Sequence, residues 1–328
     1  MEKRSKRVLF IHIEFYEYSQ RIKDKMKELG YIVDCFCEDP KIRMVDKVLQ
    51  KFNSQFLTIK STGLQNKLIK KLSKSEIKYD YIFVIKGEKL QKEFLLQLKE
   101  LNTNAQFVLY MWDDAERVAN FLENKDVYDK IYSFDKNDSK QYGLELLPLF
   151  FCDHFRNDGN VEKNIDAFFL GWDHSDRRQL IEKILPILRK NNMNYYFHLY
   201  TGIWKSLRRR IWHLNFRKKP DYVKYNTLSL KKSIQLTLNS RILIDIQHPS
   251  QSGLTMRTLE TLAAKSKLIT TNSSVEKYDF YNPKNILIID RENPVIDPDF
   301  LKTPYEDVPE EIVEEYSLAN WIQTMLDK

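Results

Sequence analysis

Ile242-Leu243-Ile244-Asp245-Ile246-Gln247-His248-Pro249-Ser250-Gln251-Ser252-Gly253-Leu254-Thr255-Met256-Arg257-Thr258-Leu259-Glu260-Thr261-Leu262-Ala263-Ala264 opens on an apolar run, passes through a polar turn holding one glycine, and continues as a helical pattern. Ile242–Ile246 has the length and β-branched content of a buried strand, Thr255–Ala264 reads as a helix, and Leu268–Thr270 returns to strand composition. Strand, short turn, helix and strand in that order form the unit of a parallel sheet wrapped by helices.

The same alternation extends in both directions. Towards the N-terminus the expected strands are Val8–Ile13, Ile32–Cys37, Phe56–Ile59, Tyr81–Ile85, Phe107–Met111 and Ile131–Phe134. Ser19–Leu29, with Ile22, Met26 and Leu29 on one face and Gly30 as its stop, reads as a helix, as does Leu90–Leu101 through Phe94, Leu95, Leu98 and Leu101. A polar segment within Leu149–Asn164 breaks the pattern and is read as a linker. Beyond it the strands Ala167–Leu170, Tyr195–Tyr200, Tyr222–Tyr225, Ile242–Ile246, Leu268–Thr270 and Ile286–Ile289 alternate with helices near Arg177–Lys190, Leu230–Asn239 and Thr255–Ala264. A last amphipathic helix, Ser317–Leu326, presents Leu318, Trp321, Ile322 and Met325.

The expected fold class is therefore α/β, with two Rossmann-like βαβ domains facing across a cleft. Residues 1–155 form the first, residues 165–310 the second, and 311–328 a helix packing back on the first. A chain of 328 residues with 42% hydrophobic and 30% charged content can fill two such cores and is not disordered. No stretch approaches the ~20 apolar residues of a membrane-spanning helix. The basic N-terminus leads into a strand that meets Glu14, which does not suit a secretory segment. Cys35, Cys37 and Cys152 form no metal-ligand spacing, and their odd number argues against a disulfide scaffold. The cytoplasm is the expected compartment.

A net charge of +7 suits anionic partners without choosing among them. With only 8 glycines, the phosphate loops GxGxxG and GxxxxGK[ST] are absent. In open α/β sheets ligands bind beyond the carboxyl ends of the strands, so the residues just after strands decide the chemistry. After Ile242–Ile246, Gly253 permits close backbone approach to a phosphate, Thr255 is a candidate N-cap, and Arg257 can present its planar fork to a diphosphate. The carboxylate of Glu260 can accept from a ribose diol. The competing reading is a plain strand-turn-helix whose Arg257 and Glu260 form a surface ion pair.

This stretch, followed by Lys267-Leu268-Ile269-Thr270-Thr271-Asn272, resembles the donor-binding motif of GT-B glycosyltransferases, and within them the bacterial polysaccharide and CgeB-like enzymes. The resemblance covers the second half in motif and the first half as architecture. It implies a hexosyltransferase-type enzyme using a nucleotide-sugar, with no cofactor and no metal. Its acceptor would be a carbohydrate or lipid-linked glycan in bacterial surface polysaccharide assembly. The implied donor site comprises His248, Gln251, Gly253, Leu254, Thr255, Arg257, Glu260 and Asn272. One departure is that the position where many relatives carry a first glutamate is Ser252 here. The loop Gly171-Trp172-Asp173-His174-Ser175-Asp176-Arg177 resembles the first loop of such a donor domain, with Gly171, His174 and Arg177 at the phosphates, while Ser175 or Asp176 also suits capping the next helix. Asp290-Arg291 stands at another strand end and reads equally as a surface pair.

Glycosyl transfer passes through an oxocarbenium-like state and, in an inverting enzyme, needs a base for the acceptor hydroxyl. The candidates follow the strands of the first half. Asp113 is favoured, because it directly follows the apolar Phe107–Met111 strand; His12 is the second candidate, and Glu14, Lys86 and Trp112 are candidate acceptor contacts. Asp113-Asp114 alternatively suits a hard cation, or caps a helix over Ala115–Leu122. The cationic stretch within residues 205–219, interleaved with Trp212 and Phe216, suits the inner face of the cell membrane, an RNA, or simply solvent. Two rivals accompany the main reading: an isomerase or epimerase of the same shape, and a basic nucleic-acid-binding protein, the latter not expected.

Overall fold

The computed structural model describes residues 4–15, 17–39, 56–118, 120–159, 161–203, 219–249 and 252–327. The chain divides into two compact units, Met1–Pro148 with Leu318–Lys328, and Leu149–Ser317.

In the first unit the strands are β1 (Arg7–His12), β2 (Ile32–Cys37), β3 (Tyr81–Ile85), β4 (Gln106–Met111), β5 (Lys130–Ser133) and β6 (Glu145–Leu146). All are parallel, in the order β2-β1-β3-β4-β5-β6. The helices are α1 (Tyr18–Glu28), α2 (Phe56–Leu72), α3 (Lys92–Leu101), α4 (Phe121–Asn124) and α5 (Lys136–Tyr142). Central strands covered on both faces lose their alternation and become continuously apolar, which is why every residue of Tyr81–Ile85 is buried. Trp321 of the C-terminal helix is 1% exposed and meets Tyr110 and Phe83 edge-on at 4.6 and 5.8 Å between ring centroids. Burying side chains of this size contributes about 2–3 kcal/mol each.

One expected strand is a helix. Phe56–Ile59 opens the 17-residue α2. Its first four residues are rich in β-formers, but the inward face of the helix continues through Ser61, Gln65 and Leu72, all buried. Two of these are polar, so the helical period is muted in hydropathy and a four-residue window reads as β. The expected helix over Ala115–Leu122 is instead a 3-10 turn at Ala115–Arg117 followed by the short α4.

The second unit holds β7 (Ile165–Trp172), β8 (Tyr195–Tyr200), β9 (Val223–Lys224), β10 (Ser240–Asp245), β11 (Lys267–Thr270) and β12 (Ile286–Ile288), again all parallel, in the order β12-β11-β10-β7-β8-β9. The order reverses between β7 and β10, the topological switch point of a doubly wound sheet. Its helices are α6 (Arg177–Lys190), α7 (Leu230–Leu238), α8 (Met256–Ala263), α9 (Pro298–Lys302) and α10 (Glu310–Glu315), and the chain ends in α11 (Leu318–Leu326) of the first unit. The face carrying Phe169, Ile242 and Ile244 packs against Leu180, Ile181 and Ile184 of α6, while Phe168 and Leu243 on the other face meet Leu236 of α7. Leu149 to Cys152, in the segment read as a linker, are buried and belong to this unit. Among the described residues no helix is long and apolar enough to cross a membrane.

Candidate functional site

At the switch point of the second unit the loops after β7, β10, β11 and β12 are tied together by two arginines. Arg177 donates from Nε to the carbonyl of Ile246 at 2.7 Å and from Nη1 to the carbonyl of Trp172 at 3.2 Å, which joins the β7 loop to the β10 loop. Its Nη2 has no hydrogen-bond partner among the described residues. Burial lowers its pKa from the ordinary arginine value; Asp245 opposes this, and the neighbouring cations Arg291 and Arg257 add to it. Arg291, after β12, donates to both carboxylate oxygens of Asp176, to the carbonyl of Gln247 and to the hydroxyl of Thr271. The expected pair of Asp290 with Arg291 is not formed. Asp290 instead accepts the backbone N–H groups of Glu292 and Asn293.

Gly171 is dictated by Arg177. A Cβ there would stand 2.9 Å from Arg177 Nη1 and 2.9 Å from Phe169 Cζ, inside van der Waals contact. Ser175 turns the same loop with φ at 51°, a left-handed conformation that costs a non-glycine residue about 1 kcal/mol or more. The turn sets the His174 ring 5.5 Å from that of His248. Asp176 is the N-cap residue of α6 but makes no capping bond with its side chain, which Arg291 holds instead. Neither α6 nor α8 has an acidic residue in its first turn.

The β10–α8 turn is anchored from below. Thr255 is the N-cap of α8 and accepts the N–H of Thr258, while its own hydroxyl donates to the buried Asp245 at 2.7 Å; Thr258 donates to the same carboxylate at 3.3 Å. Asn272 donates through Nδ2 to the carbonyl of Gly253 at 3.0 Å and caps the turn at Ser274 with Oδ1. Leu254 is 1% exposed and packs in the core. Gln251 lies outside the described residues.

Arg257 and Glu260 are placed differently from the expectation of open ligand contacts. Arg257 Nη1 pairs with Glu260 at 2.9 Å, donates to Thr237 of α7 at 2.9 Å, and lies over the Phe168 ring. Glu260 is 2% exposed, so this is a buried clamp between α7 and α8 and not a surface pair. At this corner it is Arg177, not Arg257, that keeps a terminal nitrogen, Nη2, without a hydrogen-bond partner among the described residues.

In the first unit two sequence candidates, Lys86 and Asp113, meet beside Glu88. Lys86 Nζ lies 2.7 Å from Glu88 and 2.9 Å from Asp113. Burial disfavours its charge, but the two carboxylates outweigh burial and hold its pKa above the ordinary lysine value. Lys86 adopts φ of 71° and is followed by Gly87 at 67°, where a Cβ would press on Val84 and on the Tyr128 hydroxyl. Buried Gln65 and Asn124 and half-buried Asn120 hold the loop beyond it: Gln65 binds the carbonyl of Lys89 and the N–H of Gln91, and Asn120 and Asn124 both donate to the carbonyl of Leu90. Asp114 makes no capping bond and pairs with Arg117 at 3.3 Å. His12 is partly buried, its Nδ1 3.0 Å from the Ile13 carbonyl and its ring 5.0 Å from Phe10. Glu14 is exposed. Trp112 packs among Phe15, Tyr18, Tyr110 and Trp321.

Sequence reasoning missed Glu38, directly after β2. It is 1% exposed, with Oε2 accepting the Lys89 N–H at 3.1 Å and Oε1 buried without a partner among the described residues. Burial pushes its pKa up to about 7. The strand-end rule that selects Asp113 selects this residue too. Among the described residues no three His, Cys, Asp or Glu side chains are grouped to hold a metal ion. Residues 205–218 of the cationic stretch lie outside the described residues.

No family model and no curated protein matches the sequence. Solved structures match in fold. AviGT4, a glycosyltransferase involved in avilamycin A biosynthesis, superposes with a TM-score of 0.61 at 10% identity, over 98% of this chain and 96% of that one. Alr3699/HepE of Anabaena, solved with UDP and glucose, gives 0.58 at 10% identity, over 98% of both chains. An α-glucosyltransferase solved with UDP and a 13-mer DNA gives 0.53 at 13% identity, over 98% of this chain and 96% of that one. The chain thus has the GT-B fold, two Rossmann-like domains built on parallel six-stranded sheets. At these identities the likeness is one of architecture.

Proposed function

We propose that the chain is a glycosyltransferase that draws its sugar from a nucleotide-sugar held at the switch point of the second unit. The carrying observation is the corner where Arg177 bridges the β7 and β10 loops with Nη2 left over, beside Arg291 and the acid-free first turns of α6 and α8. A diphosphate has acceptor oxygens to offer the remaining Arg177 nitrogen. Stabilising that group as it leaves is the main electrostatic task of metal-independent glycosyl transfer. Asp113, held beside Lys86, serves as the base for the acceptor hydroxyl. The acceptor is a carbohydrate or lipid-linked glycan of a bacterial surface polysaccharide, a reading supported by the sequence resemblance, and the enzyme works on the cytoplasmic side of the cell membrane.

The test is a thermal-shift panel of nucleoside diphosphates and their sugars, followed by product analysis. A nucleotide at 100 times its Kd should add ~2.7 kcal/mol of stability. Failure of every nucleotide to raise the Tm would end the proposal. A rearranged nucleotide-sugar appearing without acceptor would instead favour the epimerase reading.

A further inference from the structure

Glu38 ends β2 as a buried carboxyl group that joins two loops of the first unit. Its backbone continues the sheet, with its N–H donating to the His12 carbonyl at 2.9 Å. Its side chain serves the loop after β3, where Oε2 accepts the Lys89 N–H at 3.1 Å. The next residue, Asp39, pairs with the ammonium of the same lysine and accepts the N–H of Glu14 at 3.0 Å. Two consecutive acids thus hold one loop residue by its backbone and by its side chain. From α2, Gln65 donates to the Lys89 carbonyl at 2.9 Å and accepts the Gln91 N–H at 3.1 Å.

The second oxygen of Glu38, Oε1, is buried without a partner among the described residues. An unpaired buried oxygen is costly, and packing alone calls for no carboxyl group here. The acceptor for the Lys89 N–H is what the position supplies. The loop so held is strained at its start, because Lys86 and Gly87 are both left-handed, with φ of 71° and 67°. A lysine stays in that region only where the surrounding contacts over-determine it. This backbone sets Lys86 Nζ 2.9 Å from Asp113 Oδ2 and 2.7 Å from Glu88. A tie at Lys89, three residues further on, therefore bears on where the ammonium stands.

We propose that Glu38 is a positioning residue for the transfer step: by accepting the Lys89 N–H it keeps the left-handed loop that sets the Lys86 ammonium on Asp113. The inference rests on the reading of Asp113 as base for the acceptor hydroxyl. Lys86 engages Oδ2 and so orients the carboxylate, leaving Oδ1 to meet that hydroxyl. Small misplacements of a reacting group are enough to slow the step.

The experiment is single-turnover transfer by the full chain from UDP-glucose, UDP-N-acetylglucosamine or GDP-mannose to a panel of p-nitrophenyl glycosides, with the pair that wild type uses fastest. Glu38→Leu, which removes the acceptor and keeps the bulk, should lower kcat by about tenfold with KM for the donor unchanged. Glu38→Gln should restore the wild-type rate, because its amide oxygen still accepts the Lys89 N–H. Glu38→Leu/Lys86→Met should be no slower than Lys86→Met, since both changes cut one chain of contacts. Losses that multiply in the double variant, or a Glu38→Gln enzyme as slow as Glu38→Leu, would overturn the positioning role. Should Glu38→Leu fail to fold, Glu38→Asp, whose carboxylate stops one methylene short of Lys89, overturns it by keeping full kcat. A slow Asp113→Asn beside a fast Glu38→Leu removes the positioning role alone. Wild-type transfer by Asp113→Asn, or no transfer by wild type from any of the three donors, removes the base reading and this role with it.

Discussion

Arg291 grips Asp176 through one nitrogen, Nη1, which stands 2.8 and 2.9 Å from the two carboxylate oxygens. Its other terminal nitrogen reaches the Gln247 carbonyl at 2.7 Å and the Thr271 hydroxyl at 3.1 Å. One side chain thus fixes the start of α6 and the loops after β10 and β11. It holds the carboxylate of Asp176, which makes no capping bond to the amides of α6.

Arg291→Ala should therefore weaken nucleotide binding by about tenfold or more and lower stability by about 1–3 kcal/mol, through the loss of charged hydrogen bonds. Arg291→Lys should recover little of either, because an ammonium cannot span these partners as the planar fork does. Titration of UDP with parallel urea melts reads both. Full affinity in the lysine variant would contradict the geometry.

Gly171→Ala tests the other arginine. The added methyl would stand 2.9 Å from Arg177 Nη1 and from Phe169 Cζ, and only the guanidinium end can give way without moving the core. Overpacking of this kind costs about 1–3 kcal/mol. Displacing Arg177 should remove most of the nucleotide-induced rise in Tm, whereas Gly202→Ala, with no atom of the described residues within 4 Å of its Cβ position, should leave that rise unchanged.

The sheets were legible because strands such as Tyr81–Ile85 and Tyr195–Tyr200 are apolar runs cut off by polar loops, and burial on both faces demands that pattern. α2 was hidden because Ser61 and Gln65 take the place of apolar residues on its inner face, where they serve the Lys89–Gln91 loop. β6 is two exposed residues long and leaves no hydropathy signal. At the site, strand ends point to His174, Arg177 and His248. The bond from Arg291 to Asp176 spans 115 residues, and no local pattern reports a partner so distant. The clamp of Arg257 on Thr237 is invisible for the same reason, since the i,i+3 spacing to Glu260 tells of a pair but not of its burial.

Glu38 should make stability depend on pH. Burial raises its pKa from 4.5 to about 7, so between these values the folded state keeps a proton that the unfolded state has released. Stability from this group is fully present below 4.5 and is lost as pH rises through about 7. Glu38→Gln, which keeps the acceptor for the Lys89 N–H, should remove this slope and stabilise the protein at pH 8 by on the order of 2–3 kcal/mol. Urea denaturation at pH 5 and pH 8 decides it: a variant with the wild-type slope would show that Glu38 is ionised in the folded protein throughout.

Asp113 and Lys86 separate chemistry from structure in the first unit. Their 2.9 Å contact, with Glu88 on the other side of the ammonium, leaves this group of three with one net negative charge. Because the carboxylates hold the Lys86 pKa above its ordinary value, the ammonium persists across any neutral assay. If Asp113 takes the acceptor proton, Asp113→Asn should cut kcat by about 10²–10⁴-fold with the Kd for UDP unchanged, since the proposed donor site is built from residues of the other unit. Lys86→Met should be milder in kcat. It strips the cation from two carboxylates that are each more than a third exposed or close to it, so its cost in stability should stay within about 1 kcal/mol. Single-turnover transfer from the donor found in the nucleotide panel reads kcat directly, and an Asp113→Asn enzyme that transfers at the wild-type rate would move the base to another residue of this unit.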